Sequence, residues 1–316
     1  MTDTPIRRLG VPTVLVALLA ALLAACSGGK SEPSAAPTGE AGFPVTLTSN
    51  GVEVTIVEAP SRIVSLSPTA TEMLFAIGAG DQILGVDDQS NYPPEAPTTD
   101  LSGFTPNVES LIGMGPDLVV VADAPGDLVD GLEALGVPLL VLPAATTLED
   151  SYGQLDTLGR ATGHLVAATE VTNTMKKRVA DVLATVKKRP TPLTYYHELD
   201  DTLFTATSKT FIGSIYTQLG LTNIADPADR EGGGYPQLSQ EFLFKADPDL
   251  IFLADVKCCG QTAAIASARP GWSSLKAVRN GNVIELDDDI SQRWGPRIVE
   301  LLQQVADATA KVPAKS

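Results

Sequence analysis

The chain has 316 residues, with 22 Lys and Arg against 38 Asp and Glu, and a formal charge of −16. That length suits two domains of ordinary size, and that charge repels nucleic acid and anionic headgroups, which argues against nucleic-acid binding. Two histidines and three cysteines, two of them adjacent, argue against a His-rich metal centre and against a disulfide framework.

In chain order, Arg7 and Arg8 precede an apolar run over residues 11–25, shorter than the roughly 20 residues a spanning helix needs. It ends in Leu23-Ala24-Ala25-Cys26, small residues before a cysteine, as an export signal ends. This run resembles a bacterial lipobox, which implies that residues 1–25 are a lipoprotein signal peptide and Cys26 the lipidated N-terminus. Residues 26–42, rich in Ser, Gly, Pro, Ala and Glu, read as a flexible tether. The expected location is extracytoplasmic, on the cell membrane by a lipid anchor only.

Residues 43–57 alternate polar and apolar around Asn50-Gly51, a dipeptide suited to a type I′ hairpin turn. A short strand over 62–66 leads to Thr69-Ala70-Thr71-Glu72, which has the spacing of a capping box, so Glu72 is expected to cap its helix. The helix continues through Met73, Leu74, Phe75 and Ile77 to Gly78-Ala79-Gly80. Further strands are predicted over 83–86, 118–122 and 138–142, with helices between, the pattern of a parallel α/β sheet.

Leu165, Ala168, Thr172, Met175, Val179, Val182 and Val186 then recur at three- and four-residue spacing without Gly or Pro. They predict one amphipathic helix of about 25 residues and about 37 Å, with Lys187-Lys188-Arg189 complementing its C-terminal dipole and Pro190 stopping it. A second α/β block follows, with strands over 194–199, 203–207, 250–254 and 283–286 and helices over 211–219 and 296–310. The fold class is therefore α/β: two similar lobes, each with a mostly parallel sheet, joined by a single long helix, with a ligand cleft between them. The lobes are assigned to residues 43–162 and 190–316 and the connecting helix to 163–189.

An internal repeat supports two lobes of one design. Val108-Glu109-Ser110-Leu111, followed by Pro116-Asp117-Leu118-Val119, matches Gln240-Glu241-Phe242-Leu243, followed by Pro248-Asp249-Leu250-Ile251, at a constant offset. Such long spacing implies paired domains and not a solenoid. Asn107 and Ser239 are good N-caps, so Glu109 and Glu241 both fall at the second helical position, where an acid also complements the helix dipole.

A family resemblance rests on residues spread along the chain. Ser65-Leu66-Ser67-Pro68-Thr69-Ala70-Thr71-Glu72, Asn91-Tyr92-Pro93-Pro94 and Asn107-Val108-Glu109 resemble the N-terminal lobe of substrate-binding proteins for cobalamin and ferric siderophores. Phe204-Thr205-Ala206-Thr207-Ser208-Lys209, Tyr235-Pro236-Gln237-Leu238-Ser239-Gln240-Glu241, Ala277-Val278-Arg279-Asn280-Gly281 and Gly295-Pro296-Arg297 resemble the C-terminal lobe. The resemblance implies that Glu109 and Glu241 dock on arginines of an ABC-importer permease dimer with its ATPase subunits. It also implies a monomer that captures a metal chelate and delivers it, with no cofactor of its own.

In cobalamin-binding members aromatic rings surround the corrin, and Phe204 and Tyr235 fall on such positions, with Tyr92 and Phe104 nearby. Gln89 and Gly103 stand where the cobalamin binder compared carries aromatics, which favours a ferric siderophore. Arginine beside aromatics suits an anionic ferric complex, so Arg230, Arg293 and Trp294 join the expected ligand contacts. The adjacent Cys258 and Cys259 read either as a vicinal disulfide or as free loop thiols.

No P-loop, nucleophile elbow or dinucleotide fingerprint is present, and neither histidine adjoins a plausible nucleophile. The expectation is a binding protein and not an enzyme. The rival readings are a lipid-anchored sensor or scaffold with the same bilobed fold, and an exported α/β hydrolase.

Overall fold

The computed structural model describes residues 42–313, so the signal segment, Cys26 and the tether up to residue 41 lie outside the described residues. Asn50 and Gly51 take positive φ values of 46° and 80°, which a primed two-residue turn requires. They join β1 (Val45–Ser49) to β2 (Val52–Ile56) in an antiparallel hairpin.

The first lobe is built on β3 (Ile63–Leu66), β4 (Ile83–Val86), β5 (Leu118–Val121) and β6 (Leu139–Val141). All pair in parallel, in the order β4-β3-β5-β6. Its helices are α1 (Pro68–Ala76), α2 (Val108–Met114), α3 (Gly126–Glu133) and α4 (Leu148–Thr162). β3 and β5 are buried along their whole length because both faces are covered. Successive side chains point to opposite faces: Ile63, Leu118 and Val120 enter the main core, while Val64, Val119 and Val121 pack with Leu111, Leu128 and Leu132. Ser49 ties the hairpin to β6, its hydroxyl donating to Val141 O at 2.8 Å.

α5 (Leu165–Thr185) connects the lobes and buries Ala168, Met175, Val179 and Val182 on one stripe; its 21 residues span about 31 Å. It ends earlier than the sequence suggests, and the basic run after it has another use. Arg189 donates to Thr309 O at 2.8 Å, Pro313 O at 3.2 Å and Val312 O, closing the far end of the last helix instead of its own.

The second lobe carries β7 (Thr194–Glu198), β8 (Thr222–Asn223), β9 (Leu250–Leu253) and β10 (Val283–Glu285), parallel in the order β10-β9-β7-β8. Its elements include α6 (Phe211–Gln218), α7 (Gln240–Ala246), α8 (Val256–Cys259), α9 (Asp288–Ser291) and α10 (Ile298–Lys311). Counted within its own lobe, each sheet has the order second-first-third-fourth, so the sequence repeat is a repeat of topology. The predicted strand over 203–207 is absent: Leu203 takes φ 73°, which breaks the extended run, and only isolated bridges, Glu198 to Thr205 and Phe204 to Gln237, remain.

The two Pro-Asp turns do the same work in both lobes. Asp117 accepts from the Ser61 and Arg62 amides at 2.8 and 2.9 Å, and Asp249 from the Thr194 amide at 3.0 Å. Each carboxylate pins the chain where it enters the central strand. A single buried cluster runs from the first lobe through α4, α5 and α10 into β7 and α6, so the lobes share one core.

Candidate functional site

In each sheet the first strand lies between the second and the third, β3 between β4 and β5 in one lobe and β7 between β8 and β9 in the other, so the strand order reverses there. In parallel α/β sheets that switch point opens a crevice at the carboxyl ends of the strands. The loops leaving those ends carry residues 87–107 in the first lobe and 199–210, 254–262 and 286–297 in the second. They meet: the loop after β10 bonds both α1 and the loop after β4.

The meeting point is an ion cluster. Arg293 Nη1 donates to Glu72 Oε1 and Asn91 Oδ1, both at 2.9 Å, and Nη2 donates to Gln89 O at 2.9 Å and Asp289 Oδ1 at 2.8 Å. Arg297 Nε donates to Glu72 Oε2 at 3.0 Å, and its Nη2 to Oε1. Asn91 Nδ2 returns a bond to Asp289 at 3.1 Å, and Lys257 reaches Asp287 at 2.7 Å and Asp289 at 3.1 Å. Burial pushes the Asp289 carboxyl up, but the Lys257 bond and the Arg293 charge outweigh it and hold the group below its usual range. The guanidinium of Arg297 lies 3.8 Å from the centre of the Tyr92 ring, a cation–π contact.

Local sequence explains how these groups are held. Thr71 Oγ1 donates to Ser65 at 2.9 Å and is bonded to Ser90 at the same distance, and Ser90 donates to Asp87. These bonds fasten the loop after β4 to α1 and present Gln89 and Asn91 to Arg293. A Cβ at Gly295 would lie 3.2 Å from Glu72 Oε2, so glycine lets the carboxylate approach that turn closely.

Glu72 therefore does not cap its helix. The cap is Ser67, in an extended conformation with its hydroxyl accepting from the Ala70 amide, and Pro68 opens the first turn. The cap lies two residues before the expected Thr69, which moves Glu72 into the second turn and turns it to the other lobe. Arg293, expected at the ligand, is only 11% exposed at its side chain and spends both terminal nitrogens on the cluster. Trp294 beside it donates Nε1 to Gln154 at 2.7 Å and packs against the main core.

The expected aromatics behave differently. Tyr92, Phe104, Phe204 and Tyr235 are 40%, 86%, 40% and 52% exposed. Phe204 and Tyr235 share one rim, because residues 204–207 and 234–237 run alongside through Thr205 N to Pro236 O and Thr207 N to Gly234 O. Of the four, Tyr92 lines a cavity of about 730 Å³ along α1, with Glu72, Phe75, Glu95 and Arg297 among its walls. Gly103, where an aromatic was expected of a cobalamin binder, cannot carry one here: a Cβ would lie 2.9 Å from Leu66 O. Arg230 is exposed and makes no ion pair among the described residues.

Cys258 and Cys259 form a vicinal disulfide in α8 on the same edge. Asp288 accepts from the Val256 and Cys258 amides, both at 2.8 Å, which seats this turn against α9. Glu109 and Glu241 are exposed in the first turns of α2 and α7, behind the side-chain caps Asn107 and Ser239. His197 is buried on Tyr216 at 2.9 Å, and His164 sits at the start of α5, so neither joins the cleft cluster.

Sequence reasoning missed the hub itself. Arg297 enters the sequence reading only within the Gly295-Pro296-Arg297 motif and Asp289 not at all, because the partners of Glu72 lie 221 and 225 positions away. The available signal was the Gly-Pro-Arg turn at residues 295–297, a cation fixed at the start of a helix, where a cation is disfavoured unless an anion faces it. A second buried group carries no local sequence signal: Glu198, held by Arg269 through two 2.7 Å bonds, with the orphaned carboxylate of Asp255 near it.

A model of the periplasmic binding protein family matches residues 63–290. An uncharacterised ABC transporter substrate-binding lipoprotein of Bacillus subtilis, YvrC, is 29% identical over 96% of this chain and 97% of its own. A cobalamin-binding protein of Halobacterium salinarum is 31% identical over 94% of this chain and 83% of its own. Among solved structures, the periplasmic vitamin B12-binding protein BtuF of Vibrio cholerae aligns with TM-score 0.65 and 25% identity, covering 79% of this chain and 96% of that one. A possible iron-binding periplasmic solute-binding protein of Staphylococcus epidermidis aligns with TM-score 0.69 and 25% identity, covering 80% and 100%.

Proposed function

Because the chain belongs to the periplasmic binding protein family, as a substrate-binding protein of ABC import and not an enzyme, we propose that it captures a metal chelate of the cobalamin class. The chelate lies between the lobes and is handed to a permease dimer that docks on Glu109 and Glu241. Cys26 carries the lipid that keeps the protein at the membrane.

The observation that carries this reading is the set of large aromatics left in solvent on both lobes, Tyr92 and Phe104 on one and Phe204 and Tyr235 on the other. Side chains of this size are normally withdrawn from water, and their exposure on loops at the carboxyl ends of both sheets marks a surface for a flat apolar ligand. A corrin ring offers such a face. Relatives that bind cobalamin support the same choice. A ferric siderophore is the second reading, favoured by Arg230, an exposed cation left without an ion pair.

The test is quenching of tryptophan fluorescence in the soluble chain from Ser27 onward, titrated with cyanocobalamin, a ferric hydroxamate and hemin. Saturable one-to-one quenching by cyanocobalamin supports the reading. Saturation by the hydroxamate alone moves the function to the siderophore, and no saturation by any of the three refutes chelate binding.

A further inference from the structure

Glu72 is 3% exposed, on a helix of the first lobe, yet its bonds are made to the second. Three guanidinium N–H groups from Arg293 and Arg297 converge on its two oxygens, and Asp289 takes Arg293 from the other side. Glu72, Asp287 and Asp289 thus balance Arg293, Arg297 and Lys257, with Glu72 at the buried end, where an unbalanced charge is strongly unfavourable. Released from Glu72, the arginines would form a forked anion receptor, since guanidinium groups match carboxylates and similar oxyanions with paired, charge-assisted bonds. The walls of the neighbouring 730 Å³ cavity add Asp81 and Glu95, and Arg297 is the cation among them.

We propose that Glu72 sets the charge selectivity of the binding site: by engaging Arg293 and Arg297 it withholds them from the ligand, so that the site admits a chelate without net negative charge. Cyanocobalamin is of that kind, whereas hemin carries two propionates. The proposal rests on the cleft being a chelate site, as argued above, but it concerns a different residue and a separate property. Glu72 is here a specificity residue acting through the arginines, and it touches no ligand.

The experiment uses the full chain in detergent, as wild type, as Glu72→Gln and as the double variant Glu72→Gln, Arg293→Gln, titrated with cyanocobalamin, hemin and iron-free citrate. Glu72→Gln keeps the side-chain shape and removes one negative charge. Its affinity for hemin is expected to rise about tenfold relative to cyanocobalamin, as one charge-assisted contact implies, and it should bind citrate where the wild type does not. The double variant restores the charge balance and should lose both gains, a reversal that a purely structural role would not produce. If Glu72→Gln alters hemin and cyanocobalamin affinity by the same factor and ignores citrate, Glu72 merely spaces the lobes and the proposal is overturned.

Should the wild type bind neither chelate, the functional reading fails while the citrate arm still decides for or against Glu72. Should Glu72→Gln not fold, Arg293→Gln carries the test with opposite sign. It leaves a carboxylate in excess and must weaken hemin binding more than cyanocobalamin binding. Equal losses overturn the proposal.

Discussion

Glu109 and Glu241 occupy the same position of the same local structure in the two lobes. Each is the second residue of a seven-residue helix, behind a side-chain cap on Asn107 or Ser239, and each helix ends in a left-handed residue, Gly115 at φ 63° or Asp247 at φ 43°. Asp247 tolerates that conformation with help from its own carboxylate, which accepts the Lys276 amide at 2.6 Å. Both glutamates are exposed, and neither is needed for a capping bond, so both carboxylates are open to a partner. Replacing both with Lys should abolish chelate uptake by cells and leave the dissociation constant of the purified protein unchanged. A loss of ligand affinity as large as the loss of uptake would contradict docking.

The exposed rings make a separate prediction. Phe204→Ala and Tyr235→Ala should each weaken chelate binding about tenfold, the scale of one well-packed aromatic contact. Their melting temperatures should stay within about a degree of wild type, because rings half in solvent add little to the core. Calorimetric titration and thermal melts on the same samples decide it. A large fall in melting temperature with unchanged affinity would place these rings in the structure and not at the ligand.

Glu198 and Arg269 form a buried pair with two 2.7 Å bonds, and Arg269 also donates to Gln261 at 2.9 Å and stacks 4.5 Å from the Trp272 ring. Burial raises the Glu198 carboxyl to about 7 even with Arg269 pulling it down. Arg269→Met keeps the stem and removes the charge. It should cost about 3 kcal/mol, read as a lower denaturant midpoint, since breaking a buried pair leaves its partner uncompensated. A change under about 1 kcal/mol would show that the pair is already dispensable.

Asp255 gives a pH signature. Both its oxygens are buried without a hydrogen-bond partner, and burial raises its carboxyl to about 6 from 3.8. A raised carboxyl binds more protons in the folded state, so its ionisation lowers stability as pH rises from about 4 to about 6. His197 acts the other way: burial lowers it to about 3 from 6.5, so its contribution is lost as pH falls below about 6.5. Asp255→Asn isolates the first effect. It should stabilise the protein by about 1 kcal/mol at pH 7.5, after the cost of burying an amide, and the gain should turn into a net loss as pH falls toward about 4 and the ionisation penalty it removes disappears. Urea unfolding of both proteins across that range measures it, and a gain independent of pH would contradict the assignment.

The two-lobed plan was legible because it is written in local repeats. The Pro-Asp turns, the capped helices carrying Glu109 and Glu241, and the apolar runs of β5 and β9 each follow from neighbouring residues. Strand order was not legible, since it depends on which way each crossover leaves the central strand. The ion cluster was least legible of all. Thr69 and Glu72 have the spacing of a capping box, and only Ser67 and Pro68 starting the helix earlier, together with arginines more than 220 positions away, give Glu72 its actual role. Arg189 makes the same point in smaller form, because a cation after one helix serves the end of another.

A chelate held between the lobes must contact residues of both. Hydrogen exchange of the protein with and without saturating cyanocobalamin tests it directly. Added protection is expected in residues 89–106 of the first lobe and in 203–208 and 230–237 of the second, with α3 and the connecting helix α5 unchanged. Protection confined to one lobe, or none at saturation, would contradict it.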